Sequence, residues 1–113
     1  MEITAEISTD SFSMTLSNEL GESLIISKEN GLVSIDRRNS GKSGFQRDFA
    51  AIHSAPMSWE AKDLRIYLDA ASIELFVNDG ELAMTSIVFS NSAWKNIEVS
   101  ENVTSLKIYN LKK

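Results

Sequence analysis

The run Leu64-Arg65-Ile66-Tyr67-Leu68-Asp69-Ala70-Ala71-Ser72-Ile73-Glu74-Leu75-Phe76-Val77-Asn78-Asp79-Gly80-Glu81 carries the fold in its phase. Leu64, Ile66 and Leu68 alternate with Arg65 and Tyr67, and Ile73, Leu75 and Val77 alternate with Glu74 and Phe76. Alternation with period two puts each apolar set on one face of a strand. For both sets to share a face, Leu68 must pair with Ile73, which leaves a four-residue loop, Asp69-Ala70-Ala71-Ser72. A three-residue loop without a bulge would set Leu68 against Glu74 and turn the apolar set outward. Asp69 and Ser72 then hold turn positions, where short polar side chains bond nearby amides. Asp79-Gly80 tolerates positive φ at both central positions of a type I′ turn, setting Val77 opposite Leu82 and Leu75 opposite Met84.

The same period extends outward in both directions. Ile3, Ala5 and Ile7 alternate with polar residues, as do Phe12, Met14 and Leu16, Leu24 and Ile26, Val33 and Ile35, Leu82, Met84 and Val88, Ile97 and Val99, and Leu106 and Ile108. Asn30-Gly31 is a second type I′ signal, and a two-residue loop there sets Ile26 opposite Ile35 with Leu24 and Val33 on the same face. Residues 39–63 are the least regular. A further strand is expected over residues 45–52, Pro56 closes that segment, and Trp59 follows in a connection. Short strands between polar turns predict an all-β chain, a two-sheet antiparallel β-sandwich of jelly-roll or concanavalin-like kind. No repeat or linker interrupts it, so one domain over residues 1–113 is expected.

The bulk properties narrow the chemistry. A chain of 113 residues is the size of one ordinary domain and buries roughly two-thirds of its unfolded surface, enough to fold without a metal or disulfide. It has no cysteine, which removes disulfide frameworks, thiolate zinc sites and a cysteine nucleophile. The formal net charge of −5 repels phosphate backbones, so nucleic acid is not an expected partner. The start Met1-Glu2-Ile3-Thr4-Ala5-Glu6 lacks a basic, then apolar, targeting pattern. No window approaches the ~20 apolar residues of a membrane span. A soluble product without membrane partner is expected.

Candidate chemistry is sparse. Asp69 and Glu74 are the obvious carboxylate pair for glycoside cleavage, but register places Asp69 in a turn and Glu74 across from Thr85. A turn carboxylate and a cross-strand contact account for both. Arg47-Asp48 lies between Phe45 and Phe49 and is read as solvated strand residues. His53 is the only histidine, so neither a metal site nor a Ser-His-Asp triad is expected, and it is read as a surface or loop residue. Gly41-Lys42-Ser43 ends like a phosphate loop but lacks the earlier glycine and the following helix. The sequon Asn102-Val103-Thr104 matters only in a glycosylating host. No cofactor or metal is implied. Among the aromatics, Trp59, Tyr67, Phe76 and Trp94, with Tyr109, are candidates for sugar stacking or for contact with another domain, and packing in the core or at an interface is the reading favoured over a sugar platform. Tyr67 and Phe76 lie off the faces assigned to the core.

The segment 64–81, with the following Met84-Thr85-Ser86-Ile87-Val88-Phe89, resembles the signature of the carboxy-terminal sandwich of glycoside hydrolase family 32. The pattern is an apolar strand, Asp-x-x-Ser, apolar-Glu-x-Phe-x-Asn-Asp-Gly, then a threonine-serine strand. Its motif residues here are Asp69, Ser72, Glu74, Asn78, Asp79 and Gly80. Ile35-Asp36-Arg37-Arg38-Asn39-Ser40-Gly41 is similar to the family's acidic-basic-Ser-Gly turn, and Leu106-Lys107-Ile108-Tyr109-Asn110-Leu111 to its closing strand. Ser90 stands where a proline often follows, and Ala70 and Ala71 replace more polar turn residues.

The resemblance implies a parent β-fructosidase of levanase, inulinase, invertase or phosphosucrose hydrolase type, periplasmic or extracellular, with a five-bladed catalytic propeller ahead of this sandwich. The family's motifs Trp-Met-Asn-Asp-Pro-Asn-Gly, Arg-Asp-Pro and Glu-Cys lie on that propeller, and none occurs in this chain. No catalytic residue carries over. The implied partners are the propeller of the same parent chain, a second copy in a homo-oligomer, and fructan itself.

Overall fold

The computed structural model describes residues 1–39, 52–69, 72–87 and 94–109. Ten strands are present among them: β1 (Glu2–Ile7), β2 (Phe12–Ser17), β3 (Ser23–Glu29), β4 (Leu32–Asn39), β5 (Ile52–Pro56), β6 (Asp63–Leu68), β7 (Ser72–Val77), β8 (Leu82–Ile87), β9 (Asn96–Val99) and β10 (Val103–Tyr109). They form two antiparallel five-stranded sheets, ordered β10-β1-β6-β7-β8 and β5-β4-β3-β2-β9. The all-β sandwich expected from the alternation is the observed fold.

Register follows burial. Leu68 pairs with Ile73, Ile66 with Leu75 and Leu64 with Val77, and all six side chains are buried. Slipping β6 by one residue would expose its three apolar side chains, each worth about 1.5–3 kcal/mol. The 69–72 turn reinforces the register: Asp69 Oδ1 accepts the Ser72 backbone N–H at 2.9 Å and its hydroxyl at 3.2 Å. The Asn30-Gly31 hairpin also follows its sequence. Ile26 faces Ile35 and Glu29 faces Leu32, with φ of 52° at Asn30 and 76° at Gly31.

The other type I′ signal gives the right register through a wider turn. Val77 pairs with Leu82 and Leu75 with Met84, but positive φ begins one residue early, at 53° for Asn78, then 60° for Asp79 and 98° for Gly80. Asparagine is among the few residues that enter the left-handed region readily. The turn is therefore residues 78–81, with Gly80 N–H bonded to Val77 O at 3.2 Å.

Residues 35–39 continue β4 rather than starting a turn. β5 begins at Ile52 and ends at Pro56, at the edge of its sheet where a missing N–H is tolerated. The rest of the strand expected over 45–52, with Gly41-Lys42-Ser43 and Arg47-Asp48, lies outside the described residues. Val88, Phe89 and Asn110-Leu111 lie outside them too.

The core lies between the sheets and includes Ile3, Met14, Leu16, Leu24, Ile26, Val33, Ile35, Ile66, Ile73 and Leu75. At one end the connections that cross from sheet to sheet bond to one another. Ser8 N–H donates to Asn102 O and Ile7 N–H to Lys62 O, each at 2.8 Å. Asn102, the sequon asparagine, donates its side-chain amide to the Thr9 hydroxyl at 2.7 Å. Among the described residues no helix is long and apolar enough to cross a membrane.

Candidate functional site

Residues 57–62, which join β5 to β6, form no strand, yet hydrogen bonds tie their backbone to four other parts of the chain. Met57 N–H donates to Gly31 O at 2.7 Å. Asn78 bonds it at two points and the start of β6 at a third: its side-chain amide donates to Glu60 O at 2.7 Å, and its oxygen accepts Lys62 N–H at 2.7 Å and Asp63 N–H at 3.3 Å. The left-handed backbone at Asn78 aims the side chain across the turn toward this segment. The motif asparagine is thus a latch between the 78–81 turn and the 57–62 connection.

A second clasp comes from inside. Lys28 continues the inward phase of Leu24 and Ile26 on β3 and is 1% exposed. Its ammonium donates to the Trp59 carbonyl at 2.8 Å and to the Asp10 carboxylate, which also accepts Ala61 N–H at 3.1 Å. The Asp10 side chain is 55% exposed. The Lys28 hydrogen bond, with the Ala61 amide behind it, holds the Asp10 carboxyl below its ordinary value. Met57 and Ala61 are buried beneath the segment, and Trp59 between them is 45% exposed.

Trp59, Glu60, Lys62, Asp63, Asn78, Asp79 and Glu81 line an open cleft of about 370 Å³. Asp63 accepts the Asp79 N–H at 3.3 Å and Glu81 accepts the Asn78 amide at 2.9 Å. On the other flank of the same turn, Asp79 and Gly80 join Arg65, Tyr67 and Phe76 around a hollow of about 190 Å³. Tyr67 and Phe76 meet edge to face with ring centroids 6.0 Å apart. Three of the four candidate aromatics therefore border clefts that share Asp79.

Trp94 does not join them. At 9% exposed it belongs to the core cluster, and among the described residues its indole N–H has no acceptor. Asp69 and Ser72 form the turn clasp, and Glu74 is exposed on β7 between Tyr67 and Thr85. His53 lies exposed on an edge strand, where its Nδ1 is 2.8 Å from the Ser86 hydroxyl and ties the two sheets at that edge. Among the described residues no group of His, Asp or Glu is placed to hold a metal.

Asp10 and Lys28 do not stand out in the sequence. The available signal is phase: a lysine two residues beyond Ile26 falls at an inward position, and an inward lysine needs a partner.

The fold is a two-sheet sandwich with a polar, aromatic-bordered end. The family model described as "Glycosyl hydrolases family 32 C terminal" matches residues 1–112, and the chain belongs to that family. A levanase of Bacillus sp. (strain L7) is 30% identical over 79 residues, 68% of this chain and 9% of the levanase. A sucrose-6-phosphate hydrolase of Vibrio alginolyticus is 32% identical over 80 residues, 71% of this chain and 16% of that enzyme. The chain therefore spans only a small part of these relatives. Among solved structures, the sucrose-6-phosphate hydrolase of Lactobacillus gasseri superposes on 90% of this chain with a TM-score of 0.70 at 23% identity, covering 22% of that structure. The exo-inulinase of Aspergillus awamori does so over 87% with a TM-score of 0.68 at 19% identity, covering 23% of that structure.

Proposed function

We propose that the chain is the non-catalytic carboxy-terminal module of an exported glycosidase that cleaves fructans or sucrose. It acts as one sandwich domain over residues 1–113, stabilising the catalytic propeller of its parent and an interface between copies. The observation that carries this is the outer face of the first sheet. There Glu2 sits in register between Tyr109 and Tyr67, and Phe76 packs beside Tyr67. A sheet face meant only for water alternates to polar residues. Aromatic rings among Glu2, Arg65 and Lys107 suit a partly polar contact between domains. The test is to produce the parent's propeller with and without this chain and compare thermal midpoint, activity and oligomeric state. A propeller unchanged in all three would sink the proposal.

A second role, as a fructan-binding module, is favoured by Trp59, which is 45% exposed beside a cleft lined by hydrogen-bonding side chains.

A further inference from the structure

Trp59 is fixed from three sides. Its own carbonyl is held by the buried ammonium of Lys28 at 2.8 Å. The next carbonyl, of Glu60, is held by Asn78 at 2.7 Å, and the following amide, of Ala61, by Asp10 at 3.1 Å. Burying a lysine is unfavourable unless its charge is paired and bonded. Here that desolvation is accepted by a side chain whose contacts immobilise a six-residue connection. The outward product of that connection is one large, half-exposed ring. A surface aromatic on a mobile loop loses affinity to ordering when it binds, and one already fixed does not.

The cleft beside the ring has the chemistry of hydroxyl recognition. Among the described residues, the carboxylates of Glu60 and Asp79 and the ammonium of Lys62 have no intramolecular partner. Two acceptors and a donor beside an aromatic face match a sugar ring, which presents C–H groups to the aromatic and hydroxyls at its rim. The balance of charge narrows the class. Glu60, Asp63, Asp79 and Glu81 oppose only Lys62 in the lining, a field that repels phosphate and carboxylate groups.

We infer that the Trp59 cleft is a preformed binding site for one residue of a neutral oligosaccharide, with Trp59 as stacking platform and Glu60, Asp79 and Lys62 as hydroxyl partners. This rests on the fructan-binding role above and names its site and ligand class. Phosphorylated sugars are excluded by the carboxylates.

The two tryptophans make the test internal. With the 15N-labelled chain, the Trp59 and Trp94 indole N–H resonances and the amides are followed during titration with inulin-type fructo-oligosaccharides, then with sucrose 6-phosphate, then with calcium chloride. The expected result is saturable movement of the Trp59 indole and of amides in residues 59–63 and 78–81 with the neutral sugar alone, while the buried Trp94 indole stays still. Trp59→Ala abolishes the effect with the Trp94 resonance unchanged, which shows the fold intact. Asp79→Asn weakens binding about ten-fold, as expected for the loss of one charge-assisted hydrogen bond. Saturable shifts elsewhere with the Trp59 indole unmoved would overturn the site but keep a fructan-binding role. No shift with any sugar would overturn both. A response to calcium or to the phosphorylated sugar that matches the neutral one would overturn the ligand class.

Discussion

The Lys28 ammonium bonds the Trp59 carbonyl at 2.8 Å, so a core-phased lysine fixes the backbone of a residue displayed on the surface. The relationship separates two effects that a substitution usually mixes. Lys28→Met keeps the apolar stem and removes the charge. It leaves no buried orphan carboxylate, because the Asp10 side chain is 55% exposed. The expected loss in urea unfolding is about 1.5–3 kcal/mol, the scale of a hydrogen bond to a charged group. Lys28→Ala adds a cavity and loses about 2–4 kcal/mol. Both variants loosen residues 57–62, read as faster hydrogen exchange at the Ala61 and Lys62 amides.

Acid weakens the same clasp. The Asp10 carboxyl in the folded chain lies below its ordinary value of 3.8, chiefly through Lys28 and secondarily through the Ala61 amide. A carboxyl that binds its proton less readily folded than unfolded stabilises the fold at pH above the unfolded value. That contribution is lost as pH falls below 3.8 and through the lower native value. Asp10→Asn therefore lowers stability at neutral pH and flattens the acid limb of the stability curve, measured by urea midpoints across that range. A variant with an acid limb as steep as the parent's would remove Asp10 from the account.

Wherever one apolar face had to be buried, the strands and their pairing were legible. Leu68 opposite Ile73 followed from phase alone, and Ile26 opposite Ile35 from phase and a dipeptide. The site was less legible because its parts are backbone groups. Asn78 stood in the motif, but its side chain bonds a carbonyl and two amides fifteen to eighteen residues upstream, which no side-chain pattern records. Lys28 was hidden by its own chemistry, since a charged residue breaks an apolar alternation even while facing inward. Trp94 carried the opposite problem. It flanks a short strand whose alternation is weak, with Ile97 half-buried and Val99 partly exposed, so phase alone did not decide between the core and an interface.

The Asn78 latch predicts an order among substitutions. Asn78→Asp keeps the acceptor for the Lys62 and Asp63 amides and loses the donor to the Glu60 carbonyl and the Glu81 carboxylate. Asn78→Gly keeps the left-handed backbone and loses every side-chain bond. Asn78→Ala loses the bonds and adds strain at a φ of 53°, about 1 kcal/mol beyond glycine. Stability should therefore fall from Asn to Asp to Gly to Ala, by thermal or urea unfolding. Alanine no worse than glycine would mean that the turn relaxes out of the left-handed region.

The two tryptophans should differ as sharply in stability as in exposure. Trp59→Ala removes a half-exposed ring from a segment held by its backbone, and a change within about 1 kcal/mol is expected. Trp94→Ala empties a packed position, and about 3–5 kcal/mol is expected, enough to unfold a marginal domain. Trp94→Phe discriminates between volume and polarity at that position. The indole N–H is a buried donor without an acceptor among the described residues, a feature that costs about 1–3 kcal/mol. Phenylalanine gives up ring volume and that cost together, so the two changes oppose each other and the loss should be well below that of alanine. If Trp94→Phe instead unfolds the domain as alanine does, the nitrogen has a partner in the folded chain and holds this end of the sandwich by a bond.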